Sequence, residues 1–193
     1  MFCQYGSWSS GSKPTLQRFV FTSNTVWVVP KTIKSGYVSI AGGGRGGSSG
    51  QDNAGPVTLS SGASGGFLVS YPVNLIPGES IPITIGTGGQ VASAGLSSGS
   101  PGGTTSFGSY LVCSGGGSTV GENWLNIGSC GAAGGAGLPG TYIVTNGGGV
   151  SGGQTPLGYG SGGMSSRCNG CSLPNPSYGS AGMPGVVIVD AFM

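Results

Sequence analysis

The sequence predicts an all-β chain without helices: a small antiparallel β-sandwich-like part fused to a glycine-rich bundle of left-handed extended, polyglycine II-like segments. Three observations predict it. Short runs of β-branched and aromatic residues alternate with turn residues. Glycine recurs at every third position in several stretches, as in "GAAGGAGLPG" from Gly131 to Gly140. No window carries an apolar stripe at i, i+3 and i+4, and glycine would oppose a helix throughout.

Residues 1–17 form a polar, irregular N-terminal attachment segment with Phe2, Tyr5 and Trp8 as isolated aromatics. These three either insert into a partner or fold back onto their own domain. A β-rich part with glycine loops follows over 18–114. "RFVFT" (18–22) and "TVWVV" (25–29) flank Ser23-Asn24, a two-residue hairpin candidate. "GYVSIA" (36–41) and "GGFLVSYPV" (65–73) are further strands. "PGES" (77–80) places Pro77 and Gly78 at the centre of a type II turn. "IPITIG" (81–86) alternates Ile81, Ile83 and Ile85 on one face, and Pro82 makes it an edge strand or one that faces outward there. "TTSFG" (104–108) and "YLVCSGGG" (110–117) come next. A glycine-rich bundle with exposed loops is expected over 115–185. The terminal strand, 186–193, is apolar on both faces and should return to the β part as a buried central strand.

An extended helix with three residues per turn has no internal hydrogen bonds, so its peptide groups need partners on neighbouring passes. Glycine at every third position leaves one edge bare and lets another segment approach. The period recurs at Gly44, Gly47 and Gly50 and at Gly179, Gly182 and Gly185. It is local and interrupted, which excludes a continuous triple helix. Flexible loops would give the same composition, but so long a disordered stretch should carry more charge than Glu122 and Arg167. The 45 Gly and 12 Pro among 193 residues approach the level, about 30%, at which aperiodic chains are low-complexity.

Charge excludes several function classes. Residues 1–45 hold Lys13, Arg18, Lys31, Lys34 and Arg45 and no acid. The remainder holds Arg167 against Asp52, Glu79, Glu122 and Asp190. This basic start either docks an acidic partner or is a solvated face. No Lys/Arg cluster supports nucleic-acid binding. No segment approaches the ~20 apolar residues of a membrane span, and no Sec-type signal is visible, so synthesis in a cytoplasm is expected. With no His, four acids and no phosphate-loop motif, no catalytic residues, metal site or cofactor are expected, and the chain is not expected to be an enzyme. The cysteines, Cys3, Cys113, Cys130, Cys168 and Cys171, outline no secreted disulfide framework. Free or structural thiols are expected, with a disulfide or a metal site as alternatives. "CNGC" at 168–171 is one half of a zinc or redox site, which Cys113 and Cys130 could complete only if the fold brings them near.

"FTSNTVWVVPKTIKSGYVSIAGGGRGG" resembles the opening of the glycine-rich domain of tailed-bacteriophage tail-fibre proteins. "LIPGESIPITIGTGG", "GTTSFGSYLVCSGGG" and "GMPGVVIVD" follow in the order of that family, over roughly residues 19–190. Residues 115–185 are similar in texture to the glycine-rich tip adhesins of long tail fibres, whose loops bind host outer-membrane proteins. This chain is shorter than those adhesins and shows no evident large N-terminal attachment domain. The resemblance implies a tail-fibre tip in the virion, assembled in the host bacterial cytoplasm. It would recognise a bacterial outer-surface receptor, protein or glycan, without catalysis or membrane insertion. Other virion proteins would be its partners, and a homotrimer is one form it could take on a trimeric fibre. The implied receptor contacts lie between glycine runs at Trp124, Tyr142, Tyr159 and Tyr178. The implied fibre attachment uses Phe2, Tyr5 and Trp8. A purely structural virion part, such as a capsid decoration or a fibre connector, is the rival reading. An ice-binding protein is a third, but it would favour regular Thr or Ala rows.

Overall fold

The structure is a computed structural model that describes residues 2–4, 7–9, 15–47, 62–92, 99–117, 130–132, 159–163 and 179–193. Eleven strands occur among them: β1 (Phe2–Gln4), β2 (Ser7–Ser9), β3 (Leu16–Phe21), β4 (Thr25–Val28), β5 (Ser35–Ala41), β6 (Phe67–Asn74), β7 (Ser80–Thr84), β8 (Thr105–Phe107), β9 (Leu111–Cys113), β10 (Cys130–Ala132) and β11 (Val186–Phe192). The described residues contain no helix. β3-β11-β5-β6 form a four-stranded sheet and β10-β9-β8-β7-β4 a five-stranded one. Among the described residues, β1 and β2 pair only with each other. Every pairing is antiparallel.

The two large sheets meet in a sandwich-like arrangement because each alternates apolar-in, polar-out. Val38, Ile40, Val187 and Val189 of one sheet and Ile81, Ile83, Phe107 and Leu111 of the other are all buried in one core. Trp27 on β4 carries the contact between sheets. Its ring lies 5.1 Å from Phe19 and 6.0 Å from Phe21, both on β3, and 6.1 Å from Phe107 on β8. β11 is the central strand expected of it, between β3 and β5.

Two local expectations need correction. Ser23-Asn24 does not close a hairpin, because β3 and β4 enter different sheets. The Asn24 side-chain oxygen instead accepts the Ile85 N–H at 2.7 Å, and the segment crosses the sandwich. β7 is not an edge strand, since it lies between β4 and β8. Pro82 is tolerated because its carbonyl accepts the Gly108 N–H. Its missing N–H therefore lies on the side where β8 has already ended at Phe107. The Pro77-Gly78 turn is as expected, with Gly78 at φ +83° and the Glu79 N–H bonded to the Ile76 carbonyl.

The glycine stretches pack against one another mainly through backbone hydrogen bonds. Successive N–H groups of 42–47 donate to the carbonyls of Gly66, Gly103, Met183, Ala63, Ser100 and Ser180 at 2.9–3.0 Å. The partner stretches rotate through 62–66, 99–103 and 179–185 and then repeat, so the contact direction recurs every third residue. Carbonyls of the same segment accept from three other stretches: Gly43 from Gly116, Gly44 from Gly89, Arg45 from Gly163 and Gly47 from Ala92. The 42–47 segment is thus bonded on six sides.

The six outer stretches close a ring. Gly66 donates to Ser114, Gly102 to Gly116, Gly103 to Thr87, Gly182 to Gly89, Met183 to Ser161 and Gly65 to Gly160. The ring order is therefore 62–66, 114–117, 99–103, 86–92, 179–185 and 160–163. Four of these stretches come from the region before residue 115 or straddle it, so hydrogen bonding draws no boundary there. The sandwich feeds the bundle directly: β5 runs into 42–47, while 179–185 runs into β11.

Candidate functional site

The layout gives the molecule two ends. At the sandwich end, Thr15 and Met193 exchange both backbone hydrogen bonds, at 3.2 and 3.1 Å. At the far end of the bundle the chain leaves the described residues after Gly47, Ala92, Gly117 and Gly163. It re-enters the bundle at Gly62, Gly99 and Gly179. Three connections, 48–61, 93–98 and 164–178, therefore begin and end on a platform held by peptide hydrogen bonds, and the one that leaves after Gly117 begins there and ends at β10. Such bonds are worth only about 1 kcal/mol net each, but unmade ones are costly, which favours closing the ring completely.

Arg45 stands out within that platform. It is the non-glycine residue of the central 42–47 segment and is buried, at 8% exposed. Its Nε donates to the Gly99 carbonyl at 3.1 Å. The side chains of 42–47 would point in rotation toward 114–117, 86–92 and 160–163. A methyl group on Gly42, Gly43 or Gly44 would strike the carbonyls of Ser114, Thr87 and Ser161 in turn. One turn after Gly42, Arg45 points toward 114–117 at the level of Gly117. A methyl group on Gly117 would strike the guanidinium there, and Gly117 turns to φ +66°. The side chain thus occupies the volume that a continuing 114–117 segment would fill, and the chain leaves the ring at that point. Among the described residues Arg45 forms no ion pair with an acid. The sequence carried a signal for it, as the lone charge in "GGGRGGSSG".

Cys113 and Cys130 form a disulfide. This corrects the expectation of free thiols. Sequence spacing gave no sign of the pair, because it depends on β10 returning beside β9 with Cys130 opposite Cys113. Both cysteines are buried, and the bond closes the chain segment that contains 118–129. Cys3 lies on β1, and Cys168 and Cys171 lie outside the described residues, so "CNGC" gains no placement.

The anticipated contact residues are distributed unevenly. Trp124, Tyr142 and Tyr178 lie outside the described residues. Trp124 belongs to the connection that leaves after Gly117, and Tyr178 to the one between Gly163 and Gly179. Tyr142 belongs to the connection from Ala132 to Tyr159, which starts in the sandwich. Tyr159 is 46% exposed, but it sits at the waist, next to Gly160, whose N–H bonds to Pro184 and whose carbonyl accepts from Gly65. Phe2 is on β1 and Trp8 on β2, and Tyr5 lies outside the described residues between them.

Polar interactions elsewhere brace the sandwich. Arg18 donates from Nε and a terminal nitrogen to both carboxylate oxygens of Asp190, at 2.6 and 2.8 Å. This hydrogen bonding holds the Asp190 carboxyl below its usual range, against the opposing effect of burial. The Tyr110 hydroxyl donates to Glu79 at 2.6 Å. That bond, followed by burial and the carboxylate's charge, pushes the phenol up to about 12.

A family model described as a glycine-rich domain matches residues 20–189. No curated protein matches the sequence.

Proposed function

This chain belongs to the glycine-rich domain family, and from that premise we propose that it is a tip protein of a bacteriophage tail fibre. In this reading it recognises a bacterial surface receptor, protein or glycan, without catalysis. The observation that carries the reading is the closed ring of glycine stretches around 42–47, with connecting segments departing together at the end away from the sandwich. A platform closed by its own backbone hydrogen bonds suits variable connections, since loops carried on a rigid scaffold tolerate change. Trp124, in the connection that leaves after Gly117, and Tyr178, in the one between Gly163 and Gly179, are the proposed receptor contacts, since aromatic side chains give large contact area at low entropy cost. Phe2, Tyr5 and Trp8, at the opposite end of the sequence from the terminal strand, are the proposed contacts to the fibre.

The finer structural proposal is that the seven stretches are left-handed extended helices of the polyglycine II type. Two features support it. Partners recur every third residue along 42–47. Among the described residues of these stretches, positive φ occurs only at Gly117 and Gly160. Three residues per turn with negative φ is the left-handed extended geometry.

The test is competition for cells. Purified protein should block adsorption of the phage that carries it. Exchange of 118–128 and 167–179 for unrelated loops of equal length should abolish that block while the protein stays folded. Purified protein that fails to block adsorption, or a host range unchanged after the exchange, would leave a purely structural virion part as the better description.

A further inference from the structure

The outward face of the β3–β11 ladder carries a pattern that fits a second copy of itself. Outward positions on β3 are Leu16, Arg18 and Val20, since Phe19 and Phe21 turn inward onto Trp27. Their ladder partners on β11 are Phe192, Asp190 and Ile188. Leu16 and Val20 are each 53% exposed and Phe192 is 49% exposed. The face therefore reads apolar rung, charged rung, apolar rung. An antiparallel sheet with one face in water normally presents polar residues there, whereas here an apolar rung flanks the charged rung on each side.

We infer that this face is the interface of a parallel two-fold dimer. The axis runs along the strands, midway between β3 and β11. Rotation about it keeps each rung at its own level and exchanges the two strands. Leu16 then meets the second copy's Phe192, Val20 meets its Ile188, and Arg18 meets its Asp190. Any other rung alignment sets a charge against an apolar pair. A two-fold axis across the strands would set like charges against each other, which is destabilising. The charged rung thus selects one register, and a second copy is the occupant whose charges complement it. The other sheet also exposes apolar side chains, Val26 and Val28, but no charged pair among its described residues sets a register there.

The parallel axis leaves both glycine bundles pointing the same way. Two strands of each copy, about 4.8 Å apart, and six residues of about 3.4 Å each give a face of roughly 200 Å² per partner. That is below the ~800 Å² per partner of a standard interface, so the dimer is weak and concentration-dependent. The inference does not depend on receptor recognition, and its test involves no cells.

Sedimentation equilibrium of the whole chain should show monomer passing to dimer as concentration rises into the range of roughly tens to hundreds of micromolar. Arg18→Asp and Asp190→Arg should each sediment as monomers, because each sets like charges across the axis. Mixed together, they should associate at least about tenfold more tightly than either alone, since both crossed pairs become attractive. Val20→Glu, at an exposed position that leaves the ion pair intact, should also abolish the dimer, and circular dichroism confirms that it is folded. A wild-type protein that stays monomeric, a trimer, a mixture that fails to associate, or a Val20→Glu protein that still dimerises would each overturn the inference.

Discussion

Arg45 and Gly117 compete for one volume: a methyl group at Gly117 would fall on the Arg45 guanidinium, and Gly117 itself holds φ +66°. The side chain of the central segment and the end of a ring segment are therefore one structural feature. Gly117→Ala meets two separate costs. The left-handed backbone costs about 1 kcal/mol for an L-residue, and overpacking adds about 1–3 kcal/mol. In an Arg45→Gly background only the first cost remains. A double-mutant cycle by urea denaturation should show that difference. Equal penalties in the two backgrounds would mean that the residues do not share the space.

Gly44 and Gly78 separate steric from conformational need. Gly44→Ala places a methyl group on the Ser161 carbonyl in the middle of the bundle, where only backbone could move. The cost should exceed about 3 kcal/mol, with amide protection lost across 42–47 and 160–163. Gly78 has φ +83° but open space around it. Gly78→Ala should cost only about 1 kcal/mol, from backbone strain. Thermal unfolding ranks the two variants, and a reversed order would remove close packing as the reason for glycine at position 44.

The same physics explains how much the sequence revealed. Strands β5 and β11 were legible because their buried residues alternate or run together. The period of three was legible at 179–185 because residues three apart bond one neighbour, as Gly182 and Gly185 both do with 86–92. The central segment carried a different signal. A ring stretch needs bare edges only on its crowded sides, whereas 42–47 is crowded all round and needs glycine at nearly every position. "GGGRGG" was therefore a mark of centrality, not of a loop. The fate of Ser23-Asn24 was not legible, because Asn24 is held by Ile85, far along the chain. The Cys113–Cys130 pair was hidden for the same reason. Of the candidate contacts, the sequence singled out residue types, but which end of the molecule each connection serves depends on the strand order.

Tyr110 and Glu79 should give the stability a dependence on alkaline pH. The phenol is pushed up to about 12 in the folded chain, against about 10 when unfolded. The raised value means that the folded state keeps the proton longer. Its contribution is complete below about pH 10 and is lost as pH rises toward 12. Tyr110→Phe should cost about 0.5–1.5 kcal/mol near neutrality, the worth of the hydrogen bond. It should also remove the part of the decline between about pH 10 and 12 that belongs to this residue. Urea midpoints of both proteins across that range give the answer, and parallel curves would show that the bond does not couple to folding.

The Cys113–Cys130 bond, with a sequence separation of 17, should stabilise the chain by about 3 kcal/mol through restriction of the unfolded state. It ties β10, which pairs with β9 over three residues, to the base of the 114–117 segment. A Cys113→Ala/Cys130→Ala protein should fold and unfold at lower denaturant. Excess dithiol should lower the wild-type midpoint to a similar position and leave the double variant unchanged. Because both sulfurs are buried, reduction of the folded protein should be slow and should accelerate when the chain is partly unfolded. If dithiol shifted the double variant by as much as the wild type, the effect would belong to other cysteines, and this crosslink would not be the one that secures the connection carrying Trp124.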